Sequence, residues 1–174
     1  MKDAMLRFLF PRLTADPARG AELFRRVVDE TREPHWYAAG RVPDTVDGRF
    51  AMLATIAALV MVRIERDGDS DPATAAALTE RFVEAMTAEH REMGLGDPTL
   101  GRTVRRLVGA LARRVELWRS AIPRDRWVEA ARDSAYGAEQ PAADAVAHTA
   151  AGLTDLWLRL DATPVDALAG GRIE

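Results

Sequence analysis

The chain has 174 residues, 48% of them hydrophobic, and a formal net charge of −3. That is enough apolar material for one folded domain and too much for a disordered chain. Cysteine is absent, which excludes disulfides, thiolate metal sites and cysteine nucleophiles, and the mild acidity makes no case for DNA binding.

Residues 1–15 read as an N-terminal apolar and basic segment. Met5-Leu6-Arg7-Phe8-Leu9-Phe10 is too short for a signal-peptide core and is interrupted by Pro11 and Arg12. Residues 16–170 read as one helical domain. Asp16-Pro17, Asp71-Pro72, Asp97-Pro98 and Thr163-Pro164 mark helix starts, because Asp or Thr can cap free amides and proline has no N–H to leave unpaired. A first helix is expected over Pro17–Thr31, with Leu23, Phe24, Val27 and Val28 inward. Glu33–Gly48, which holds Pro34, Gly40 and Pro43, reads as turns.

A second helix is expected from about Asp47 to Arg66. It contains the longest apolar run, the 13 residues Phe50–Val62. A spanning helix needs about 20, so this run reads as a buried core helix. A third helix follows from Pro72 to about Met93, with Leu78, Phe82 and Met86 on one face, and Gly94 and Gly96 stop it. In the fourth, Val104, Val108, Leu111, Val115, Trp118 and Ile122 step by about 3.5 residues and predict one buried stripe. A short helix near Arg124–Ser134 and a long one over Pro141–Leu160, with Val146, Leu153, Leu156, Trp157 and Leu160 inward, complete the pattern. No segment alternates as a strand does. The expected fold is therefore all-α, a single-domain bundle of about five or six helices.

Catalytic signatures are missing. No phosphate-binding glycine loop occurs, no Gly-x-Ser-x-Gly elbow, and Gly94-Leu95-Gly96 follows a helix where a dinucleotide fingerprint follows a strand. His35, His90 and His148 are far apart in sequence. Asp144 and His148 stand four apart on a helix and read as a surface hydrogen-bonded pair. No catalytic residue, metal ligand or cofactor is expected.

Three stretches do stand out. Val42-Pro43-Asp44-Thr45-Val46-Asp47-Gly48-Arg49-Phe50 offers three capping side chains, Asp44, Thr45 and Asp47, before a glycine that is unusual in a first helical turn. It reads either as an elaborate N-cap or as a recognition site, with Asp44, Asp47 and Arg49 expected to form a tight ionic network. Arg91-Glu92-Met93-Gly94-Leu95-Gly96-Asp97 closes one helix and caps the next. Arg102 to Arg126 holds eight arginines against two acids, and Arg102, Arg106 and Arg113 fall close to one helix face. That face is either simply solvated or a docking surface for acidic protein, anionic lipid or RNA. Of the 24 basic residues only Lys2 is lysine, which fits a GC-rich bacterial genome or a preference for arginine forks at a carboxylate-rich partner.

Residues 42–50 and 91–97 resemble the two motifs of the ubiquinol–cytochrome c chaperone family. Tyr37 before the first motif, Arg63 closing the second helix, and Arg114 with Trp118 in the fourth match its order, over about Leu23 to Ile122. Thr55-Ile56, Arg113-Arg114 and Trp118 stand where the family usually has Leu-His, Gly-Arg and often Tyr. The resemblance implies a non-enzymatic assembly chaperone that binds newly made cytochrome b or a similar respiratory membrane protein. The implied partner-binding residues are Tyr37, Pro43, Asp44, Thr45, Asp47, Gly48, Arg49, Phe50, Arg91, Glu92, Gly94, Gly96, Asp97 and Arg114. Cationic client loops would meet Asp44, Asp47, Glu92 and Asp97, leaving Arg102, Arg106 and Arg113 for the ribosome or an anionic membrane surface. The expected location is the cytoplasm, peripheral at the inner face of the membrane. A helical small-molecule-binding protein, or a divergent paralogue with another client, is the alternative.

Overall fold

The computed structural model describes residues 20–66, 72–92 and 100–173, with the backbone alone for 89–92 and 100. The expected N-terminal segment and the start of the first helix lie outside them. Among the described residues the chain is helical throughout, without a strand. In chain order the helices are α1 (Ala21–Thr31), α2 (His35–Ala38), α3 (Val46–Arg66), α4 (Pro72–Glu92), α5 (Leu100–Ala121), α6 (Trp127–Ala135), α7 (Ala143–Ala162) and α8 (Val165–Ala169). Six of these run nine residues or more and two, α2 and α8, are single turns, so the eight helices of the described residues exceed the expected five or six. One of the short helices, α2, corrects the reading of Glu33–Gly48 as turns only. Pro34 holds φ at −60°, and buried Trp36 anchors the turn it starts. No helix among the described residues is long and apolar enough to cross a membrane.

Helix α3 is the axis of the fold. Residues 51–60 are all buried, on every face of the helix. A helix apolar all round must be surrounded, and α3 packs against α1, α4, α5, α6 and α7. The expected inward residues of α4 and α7 are indeed buried. On α5 the stripe is rotated. Leu107, Leu111, Val115 and Trp118 are buried, but Val104 is half-buried and Val108 is 38% exposed. At 3.6 residues per turn Val108 lies about 80° round the helix from Trp118, outside a stripe about 100° wide centred there, while Leu107 lies within it, about 20° to the other side.

Buried polar groups tie the helices together. Arg63, 5% exposed, donates to the carbonyls of Leu160 and Thr163 at 2.9 and 3.0 Å, and so closes the end of α7. Ser134 of α6 links three helices. Its carbonyl accepts from Arg114 Nε and Nη2 at 3.1 and 2.9 Å, and its hydroxyl accepts from Trp118 Nε1 at 3.2 Å. The same hydroxyl lies 2.6 Å from Thr55 Oγ1, which donates to the carbonyl of Ala51 at 2.7 Å. Each proton in this chain then has one acceptor. Burial and the nearby Arg113 charge lower the Arg114 pKa, and the two carbonyls it reaches, Ser134 and Ala110, offset part of that cost.

Ser134→Ala should strand the Trp118 indole N–H inside the bundle and remove the hydroxyl facing Thr55. The expected loss is about 1–3 kcal/mol in urea unfolding, against little change for Ser120→Ala, whose bond is local. Equal effects at the two positions would show that Ser134 does not link the helices.

Candidate functional site

The first motif leads into α3 and is held from both sides. Trp36 Nε1 donates to the Glu30 carbonyl at 2.7 Å, and Tyr37 Oη to the Thr31 carbonyl at 2.9 Å. On the other side Tyr136 Oη donates to the Gly40 carbonyl at 2.6 Å, with Thr149 Oγ1 2.7 Å away. Arg41 then turns the chain with φ at +50°, and the Val42 amide bonds back to the Trp36 carbonyl.

Of the three expected caps, Thr45 is the one used. Its hydroxyl accepts the Gly48 amide at 3.2 Å, and its carbonyl accepts the Arg49 amide at 2.9 Å. Gly48 has a steric reason. A Cβ there would sit 1.9 Å from the Pro43 carbonyl oxygen, so the approach to α3 passes where any other side chain would begin. Of the expected Asp44–Asp47–Arg49 network, the described residues show the pair Arg49 Nε to Asp44 Oδ1 at 2.6 Å, with both side chains more than half exposed. Arg49 holds the Asp44 carboxyl below its usual pKa, but solvent screening leaves such a pair little stabilising effect. Asp47 projects from the first turn and is exposed.

Beside this corner lies a groove of about 1470 Å³ between α1, α2, the start of α3, α4 and α5. Phe24, Val28, Tyr37 and Phe50, all half-buried, line it with the buried Leu53, Met86 and Leu107. Val46, 51% exposed, stands at its edge. The motif contributes Asp44, Thr45, Asp47 and Arg49 to the lining, and α5 contributes Arg106 and Arg113. Two of the three residues of the expected basic face thus share the groove with the acidic residues of the motif. Arg102 is exposed and is not among the lining residues. Arg114 lies beneath, its guanidinium carbon 5.9 Å from the Phe50 ring centre. In the second motif, Arg91 and Glu92 end α4. Gly94, Gly96 and Asp97 lie outside the described residues.

Sequence spacing missed two pairings made behind this corner. His148 turns to His35 rather than Asp144, with Nδ1 of His35 3.2 Å from Nε2 of His148. Glu30, 5% exposed, takes both Arg159 guanidinium nitrogens at 2.9 Å, and Arg26 as well. Burial pushes the Glu30 carboxyl up, but these arginines hold it below its ordinary value. Nothing in the spacing of Glu30 and Arg159, 129 residues apart, could reveal that they meet. Among the described residues no three His, Asp or Glu side chains form a group able to hold a metal.

Two predictions follow from this geometry. Thr45→Ala should lose about 1 kcal/mol of stability, while Asp47→Ala changes little. Gly48→Ala should also destabilise the fold, although alanine is the better helix former by about 1 kcal/mol. A more stable Gly48→Ala protein in urea unfolding would show that Pro43 does not pack there. The second concerns pH. Burial, then the neighbouring His148, lowers the His35 pKa, against the opposing Glu33 and Glu30 charges. A histidine with a depressed folded pKa contributes stability that is present above its unfolded pKa, near 6.5, and is lost as the pH falls. The melting temperature should therefore drop between pH 7.5 and 5.5, and the drop should shrink in His35→Gln. An unchanged drop would place the acid sensitivity elsewhere.

Comparison with known proteins agrees with this architecture. The chain superposes on the crystal structure of the Cbp3 homolog from Brucella abortus with a TM-score of 0.75 and 22% identity, covering 100% of this chain and 96% of the other. At that identity the likeness establishes the fold. No curated protein matches the sequence. The family model described as ubiquinol–cytochrome C chaperone matches residues 38–173, from α2 through the first motif to the end of α8. With that match over most of its length, the chain belongs to the ubiquinol–cytochrome c chaperone family.

Proposed function

We propose that this chaperone holds a newly made membrane subunit of ubiquinol–cytochrome c oxidoreductase, cytochrome b or a similar protein, and that the groove beside α3 is where it does so. The groove itself is the observation that carries this reading. Its lining comes from four helices and the α2 turn, with Phe24, Val28, Tyr37 and Phe50 only half covered, while residues 51–60 of α3 are buried. A client that has not yet packed exposes apolar surface, and covering it is favourable in proportion to the area removed from water. Binding and release then need no chemistry. The motif residues divide accordingly. Thr45 and Gly48 build the corner and Arg114 lies under Phe50, while Asp44, Thr45, Val46, Asp47, Arg49 and Phe50 line the groove.

The protein would work peripherally at the inner face of the membrane. Arg102 and Arg105, exposed on α5, suit an anionic headgroup surface or the ribosome.

A photo-crosslinking residue at Val46 should capture cytochrome b during active synthesis. The same residue at Leu158, which is 60% exposed on α7, should not. Carbonate washing should release the protein from the membranes used. Equal capture at both positions would remove the groove from the reading, and protein retained after carbonate would rule out peripheral attachment.

A further inference from the structure

A helix with its side chains is about 10–12 Å across. The groove is open to solvent on one side, so such a helix can lie on its apolar floor with its outer face in water. The lining also carries charge. Among the described residues Arg32 and Arg113 stand in the lining beside the Asp44–Arg49 pair and Asp47. Arg32 closes α1 and Arg113 stands on α5, so exposed guanidinium groups enter from two different walls around an apolar floor. A guanidinium fork pairs with a carboxylate through two parallel N–H···O bonds, which a lysine cannot do.

We infer that the groove takes an amphipathic helix, with one apolar face and acidic residues flanking it. This deepens the proposed function and rests on the groove being the client site. The occupant would be an acidic helix or helix end at the aqueous edge of the client, held while its spanning segments stay with the membrane. Arg32 and Arg113 would set which flank is accepted, and Phe24, Phe50 and Leu53 would take the apolar face.

Three labelled twelve-residue helical peptides test this on the full chain by fluorescence anisotropy. They share one leucine face and differ in flanks of Glu, Gln or Lys. The Glu peptide should bind at least tenfold tighter than the Lys peptide, with the Gln peptide between. Arg32→Gln combined with Arg113→Gln should bring the Glu peptide to the Gln level and leave the Gln peptide unchanged. Arg124→Gln with Arg126→Gln, outside the groove, should alter nothing. Gln and Lys peptides binding as well as the Glu peptide would overturn the acidic-flank inference and leave the groove reading standing. No binding by any of the three would overturn both.

Discussion

A helix that is apolar on every side constrains everything around it. Between Ala51 and Val60 no residue of α3 faces solvent, so the chain must supply neighbours in all directions, and five long helices do so. Only the two ends of α3 remain available for other work. At one end Arg63 turns inward to the carbonyls that finish α7. At the other, Thr45 caps the first turn while Gly48 lets Pro43 lie against it. The groove opens at this second end, where the surrounding helices no longer close over the axis.

Polar groups inside the bundle determine which helices meet. An apolar surface packs against many partners at similar free energy, but a buried donor without an acceptor costs about 1–3 kcal/mol, and this selects among them. Ser134 satisfies Arg114 and Trp118 of α5 and reaches Thr55 of α3, so α6 can lie in one place. Tyr136 ties the Gly40 carbonyl to α7, and the Glu30–Arg159 fork ties α1 to α7. These bonds surround the α2 turn, which carries Tyr37 into the groove wall. The shape of the groove therefore depends on contacts made outside it.

The first motif mixes two kinds of residue that look alike in a sequence. Thr45 and Gly48 make the chain geometry possible, while Asp47 and Arg49 are exposed beside a half-covered apolar floor. A binding protein needs both, because the exposed groups recognise only if the backbone that carries them is held.

The all-helical class, the buried character of Phe50–Val62 and the inward faces of α4 and α7 were all legible in the sequence, since helical periodicity and a charge-free run report burial directly. Gly48 also stood out, because glycine in a first turn has no local advantage. Other features had no local signal. Trp36 anchors α2 inside a segment rich in turn formers. His35 meets His148 across 113 residues, and Glu30 meets Arg159 across 129. The arginines of α5 read as a face separate from the motif, yet Arg106 and Arg113 line the groove with Asp44 and Asp47. Spacing along one helix tells which residues share its face, but which other helix that face meets depends on how all the helices pack around α3. Periodicity therefore determined which residues are buried, and the tertiary structure alone decided which exposed charges stand together at the groove.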